Sequence, residues 1–165
     1  MNRQKGFTLV EMLVVIAIIA ILAGAVLLAI NPVATMRKSR DTTRLSDLDS
    51  LRSAINIALT EGEITLVAMT EPENSGNGNQ LVNGTGYVEY GTIPGKTGLG
   101  RYIPALPLDP TNDADAGLVY TFQSTADNYE INAVLEYADN EAKMINDGGN
   151  DDYVYEVGTD LTIID

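Results

Sequence analysis

The side chains able to do chemistry in this chain are mostly carboxylates. Asp and Glu number 23 against 10 Lys and Arg, while Cys and His are absent. No thiolate or imidazole is therefore on hand as nucleophile, base or metal ligand, which excludes Ser-His-Asp relays and the usual zinc sites. The carboxylates stand in two unlike settings. Glu11 is alone in an apolar run. Many others crowd into Asp109-Pro110-Thr111-Asn112-Asp113-Ala114-Asp115 and Asn146-Asp147-Gly148-Gly149-Asn150-Asp151-Asp152. Hard cations such as Ca²⁺ take several oxygens from carboxylates, amides and backbone carbonyls on a flexible loop. The second stretch offers Asp147, Asn150, Asp151 and Asp152 for that purpose, with two Gly to allow tight turning. The spacing departs from the EF-hand, and on the residues alone a solvated acidic turn is the more ordinary reading. No nucleophile–base pair is visible, so catalysis is the disfavoured class. A net charge of −13 argues against a nucleic-acid partner, because phosphate binding needs a basic surface.

The elements that must position these groups follow from hydrophobic patterning. From Phe7 to Ile30 only Thr8 and Glu11 are polar, and Met12 to Ile30 carries no charge. As a helix, this run reaches roughly 36 Å, enough for a bilayer core. It is too long for a cleaved secretory signal. A carboxylate inside such a span is costly and points to function. The alternative is that Glu11 merely lies at the membrane interface; on either reading the sequence suggests no partner for it within its own chain.

Asn31-Pro32 should end or kink the helix, because Pro removes a backbone donor and crowds the preceding turn. Beyond it, Leu45, Leu48, Leu51, Ile55 and Leu59 recur every three or four residues and predict an amphipathic helix from about Val33 to Thr60. The pattern places Arg37, Lys38, Arg40, Arg44 and Arg52, with Asp41, Asp47 and Asp49, on its remaining polar surface. The basic cluster could meet anionic lipid headgroups or a neighbouring subunit, or simply be solvated. Residues 71–100, rich in Gly and Asn, read as a long loop. Leu118 to Gln123, Tyr129 to Leu135, Tyr153 to Val157 and Leu161 to Ile164 read as strands with short connections. The expected fold class is α+β, a long N-terminal helix packed on a small antiparallel sheet.

Charge divides along the chain. Residues 1–53 carry seven basic and four acidic side chains, and residues 54–165 carry three basic and nineteen acidic. A weakly positive stalk is thus followed by a strongly acidic head, and the two ends suit different surroundings. The cationic residues flanking the apolar run, counted alone, would put the head in the cytoplasm.

Lys5-Gly6-Phe7-Thr8-Leu9-Val10-Glu11-Met12-Leu13, followed by the uncharged run, resembles the class III signal of type IV pilins and type II secretion pseudopilins. The resemblance implies a leader over residues 1–6, a transmembrane and filament-core helix over 7–32 and a head over 33–165. It implies cutting by a prepilin peptidase between Gly6 and Phe7, and N-methylation of Phe7. It also supplies a partner for Glu11: the N-terminal amine of a neighbouring subunit in a homo-oligomeric filament. Such a pair is costly to separate in hydrocarbon and would set the axial register between apolar helices. Further implied partners are an inner-membrane assembly platform, minor pilins and membrane lipid. The head is then expected outside the cytoplasm, against the charge count, and Pro32 is expected to mark a helix kink.

Leu106-Pro107-Leu108-Asp109-Pro110, Tyr120, Tyr129-Glu130-Ile131, Asp147-Gly148-Gly149 and Asp151-Asp152 resemble pieces of the major pseudopilins. That likeness implies a Ca²⁺ site in the C-terminal loop, with Asp147, Asn150, Asp151 and Asp152 as its candidates. Surface pilus and secretion pseudopilus both stay open at this level. The rival is a membrane-tethered extracellular binding module that forms no filament.

Overall fold

The computed structural model describes residues 6–164, in two units divided between Met36 and Arg37. The leader residues 1–5, with Arg3 and Lys5, lie outside the described residues.

In the first unit, α1 runs over Leu9–Ile30. Its window from Leu9 to Val26 is the one helical stretch, among the described residues, long and apolar enough to cross a membrane, and none of it is buried. Thr8 caps its start, and Asn31 ends it in the left-handed region at φ 43°. Asn31 then serves the next helix as well, its Oδ1 accepting from Ala34 N at 3.3 Å. Pro32 opens α2, Pro32–Thr60. At a first helical position its missing N–H costs nothing. The expected interruption at Asn31-Pro32 is therefore a helix stop followed by an immediate restart.

In the second unit, α2 buries Leu48, Leu51, Ala54, Ile55 and Ala58 along one face. Gly62, at φ 61°, ends it, with Glu63 N bonded back to Ala58 O at 2.8 Å. The strands are β1 (Ile64–Thr65), β2 (Glu73–Asn74), β3 (Gly91–Thr92), β4 (Tyr120–Ser124), β5 (Tyr129–Ala133) and β6 (Tyr155–Gly158), with a short helix α3 (Glu141–Ile145) before β6. β1 pairs with β3, and an antiparallel sheet runs β2-β4-β5-β6. Tyr120, Phe122, Tyr129, Ile131 and Val157 of that sheet join the buried face of α2 in one core. Two phenols tie the layers at their polar tips. Tyr120 OH donates to Asp47 Oδ2 and Tyr129 OH to Asn56 Oδ1, each at 2.8 Å.

Three sequence expectations are corrected here. Residues 71–100 do form mostly irregular chain, but Tyr87, Val88, Tyr90 and Leu99 sink from it into the core. Leu161 to Ile164 is not a strand. Its Ile163 and Ile164 amides are taken by the side chain of Glu130 instead of by a neighbouring backbone. Asp41 and Arg44 are fully buried, not on the polar surface of α2. Each meets opposite charge inside, which periodicity cannot foresee.

Candidate functional site

Gly6 and Phe7 form the irregular lead into α1, with Phe7 79% exposed. Thr8 adopts an extended conformation and accepts from Glu11 N through its hydroxyl at 3.2 Å. In return Glu11 Oε2 accepts from Thr8 N at 2.7 Å and Thr8 Oγ1 at 2.8 Å. This reciprocal capping box corrects the expectation that Glu11 lacks a partner in its own chain. The Thr-x-x-Glu spacing was the available signal. The box holds the carboxylate at the first turn, where the helix dipole favours negative charge. Both side-chain bonds use Oε2; Oε1 takes none among the described residues.

In the head, α2 presents Arg40, Asp41 and Arg44 to loop residues distant in sequence. Arg44 Nε and Nη2 donate to the Asp109 carboxylate at 2.5 and 2.9 Å. Arg44 Nη1 donates to Asp41 at 2.9 Å and to Glu136 at 2.8 Å. Arg40 forks onto both oxygens of Glu136 at 2.6 and 2.7 Å. Asp41 also accepts from the amides of Glu136 and Tyr137 and from Asn140 Nδ2, each at 2.9 Å. The bonds from Arg40 first, and then from Arg44, pull the Glu136 carboxyl down to about 2 against the pull of burial. Burial alone would push Arg44 down, but its hydrogen bonds to Asp109 and Glu136 outweigh that and raise it. Arg40 and Arg44 are therefore committed to the head's own acids, while Arg37 and Lys38 stay exposed.

The acidic loop 146–152 lies between α3 and β6. Asp147 Oδ1 accepts from Gly149 N at 3.0 Å, and its Oδ2 accepts from Glu156 N at 2.8 Å. Asp151 Oδ1 accepts from Tyr153 N at 2.9 Å, while Asn150 and Asp152 are exposed. The structure thus engages Asp147 and Asp151 with backbone amides. Among the described residues, no three carboxylates converge as a metal-ligating group.

What the loop covers was missed by the sequence reading. Beneath it lie Glu156, 2% exposed, and Glu130, fully buried. Across the β5–β6 pair Glu130 faces Gly158 and Asn132 faces Glu156, so the two glutamates are diagonal neighbours on one sheet face. Their carboxyls lie within hydrogen-bonding reach. Asp151 N donates to Glu156 Oε2 at 3.2 Å. Gly149 packs so tightly above that a Cβ there would lie 1.7 Å from the same oxygen. Ile163 N and Ile164 N donate to Glu130 Oε2 at 2.7 and 3.0 Å. Burial first, and then contact with Glu130, pushes the Glu156 carboxyl up to about 7. Glu130 Oε1 and Asn132 Oδ1 are buried with no hydrogen-bond partner. The alternation in Tyr129-Glu130-Ile131-Asn132 marks Glu130 and Asn132 as the outer face. Only the return of the loop and of the C-terminal segment buries them.

Comparison with known proteins speaks to the N-terminal unit most directly. Residues 1–27 match the prokaryotic N-terminal methylation motif. The chain is 40% identical over 79 residues to a type IV major alpha-pilin of Moraxella bovis, covering 46% of this chain and 48% of that protein. It is 44% identical over 63 residues to fimbrial protein Q of Moraxella bovis, covering 38% of this chain and 39% of that one. The matches thus span half or less of the length of these relatives. No solved structure matches. The chain thus carries the N-terminal methylation motif ahead of its apolar helix and is similar, over part of its length, to type IV pilins. Among the named relatives, the likeness is to pilins and fimbrial proteins.

Proposed function

We propose that the chain is the structural subunit of a type IV pilus-like filament. A prepilin peptidase cuts between Gly6 and Phe7, Phe7 is N-methylated, and α1 holds the subunit in the membrane with the head outside the cytoplasm. An assembly platform and minor pilins then draw it into a homo-oligomer whose apolar helices gather at the centre. Pilins among the relatives favour a surface pilus over a secretion pseudopilus.

The observation that carries the reading is Glu11. It is the one charged side chain in α1, held at the first turn by Thr8 with Oε1 left for a further partner. Cutting at Gly6 would place a new amine four residues before it on every subunit. A neighbour's amine paired with that carboxylate satisfies two charges that hydrocarbon would otherwise penalise. Glu11→Ala should insert in the membrane normally yet give a filament yield at least tenfold lower. N-terminal sequencing of the wild type should begin at methylated Phe7. Normal filament yield from Glu11→Ala, or an intact Met1 in the mature protein, would overturn the proposal. Dispersed wild-type subunits with an active head would instead favour a tethered binding module.

A further inference from the structure

Of the 13 Asn in the chain, only Asn83 is followed two positions later by Ser or Thr, in Asn83-Gly84-Thr85. With no Pro in its middle, that triad is the acceptor sequence for N-linked sugar, at home on a surface loop of an exported protein. Its geometry in the 71–100 loop decides whether an acceptor is presented. Asn83 and Thr85 are both exposed. Asn83 Oδ1 accepts from Thr85 N at 3.2 Å and from Thr85 Oγ1 at 2.7 Å. Both bonds fall on the amide oxygen, and Nδ2 donates to nothing among the described residues. The nitrogen that would carry a sugar is thus the open end of the side chain. Its neighbour Asn79 contrasts with it, since Asn79 Nδ2 is spent on Thr85 O at 2.7 Å. Gly84 sits at φ 85°, and a Cβ there would lie 2.6 Å from Tyr90 O. Tyr90 is buried, and its hydroxyl donates to Val82 O. The triad is therefore held from both sides while its reactive end faces outward.

We propose that Asn83 is an N-glycosylation site, loaded outside the cytoplasm from a lipid-linked diphosphate sugar by a membrane-bound transferase. The transfer needs no redox partner. Asn83 Nδ2 forms a bond to the anomeric carbon of the sugar. The bond from that carbon to the diphosphate oxygen breaks, its electron pair leaves with the diphosphate, and one amide proton passes to a base of the transferase. The inference rests on the export of the head proposed above. A chain anchored by α1 shares its membrane with the lipid-held donor, so the two meet at a raised effective concentration. The sugar adds to the exposed side of the loop and leaves its core anchors, Tyr87, Tyr90 and Leu99, in place. Thr85 is the positioning residue, because its hydroxyl fixes which end of the Asn83 amide faces outward.

The test is mass spectrometry of the mature protein from its own cells, as intact chain and as the tryptic peptide 53–96. Wild type should be heavier than its sequence by at least one sugar residue, and fragmentation should place that increment on Asn83. Asn83→Gln should remove it. Thr85→Ala should cut the modified fraction at least tenfold, and Thr85→Ser should restore it. Asn79→Gln, which touches the same loop outside the triad, should stay modified. If Asn83→Gln does not accumulate, the Thr85 pair carries the test on an intact Asn83. The increment should persist in Glu11→Ala, so it is read independently of assembly. Filaments built from unmodified subunits would overturn this inference and leave the pilus reading standing, and a modified chain that never forms filaments would do the reverse. An increment mapped to a Ser or Thr, or one retained in full by Thr85→Ala, would also overturn it.

Discussion

The start of α1 and the middle of α2 both carry charge, and they satisfy it in opposite ways. At Arg44 every donor is answered inside the head, by Asp41, Asp109, Glu136 and Thr111. At Glu11 the chain answers only Oε2, through Thr8. A charge answered internally tightens one molecule. A charge answered by half holds its second valence for something outside, and on the reading proposed above that is another copy of the chain.

The largest effect expected from this contrast is at Arg44. Arg44→Met removes the shared cation and strands Asp109 and Asp41 without it. Head stability measured by denaturant unfolding should fall by about 3–5 kcal/mol, while membrane insertion through α1 is unchanged. A loss below about 1 kcal/mol would mean that the cluster is packing rather than electrostatics. Acid should act on the same cluster from the other side. Glu136 sits at about 2 when folded and has an ordinary value near 4.5. A lowered carboxylate stabilises above its unfolded value and loses that contribution as pH falls toward the folded one. On the order of 3 kcal/mol should therefore drain from the head between roughly pH 5 and pH 2, and Glu136→Gln should flatten that part of the profile. The smallest effect belongs to the α1 cap. Thr8→Ala should cost about 1 kcal/mol of helix stability near the terminus, visible as faster amide exchange at Leu9 to Glu11, and Thr8→Ser should restore it. Equal exchange in all three proteins would show that Glu11 is held by something other than Thr8.

Much of this was legible from local pattern. The apolar run, the stop at Asn31-Pro32, the face of α2 through Leu48, Leu51 and Ile55 and the two central strands all follow from spacing, because each is decided within a few residues of itself. The α+β class follows with them. The gaps arise where distant segments decide the outcome. Arg44 reads as a surface cation until Asp109, 65 positions away, closes over it. Glu130 reads as a solvent-facing strand residue until Ile163 and Ile164 return to it. The acidic loop was conspicuous in composition, and its carboxylates look like ligands in a list of residues. In space Asp147 and Asp151 bond to backbone amides, as Asp side chains in tight turns commonly do.

The two phenols between sheet and helix have a consequence of their own. Tyr120 and Tyr129 stand at opposite ends of the β4–β5 pair, since Tyr129 lies across from Ser124. Four strand steps separate them, about 14 Å. Their acceptors, Asp47 and Asn56, are nine helix residues apart, about 13.5 Å of rise. The strand pair and the helix therefore carry matching graduations, like two rulers pinned at both ends. A slip of α2 by one turn would unpin both marks at once. The head thus reads its own alignment over a length, and a misaligned helix cannot keep one bond as consolation for losing the other.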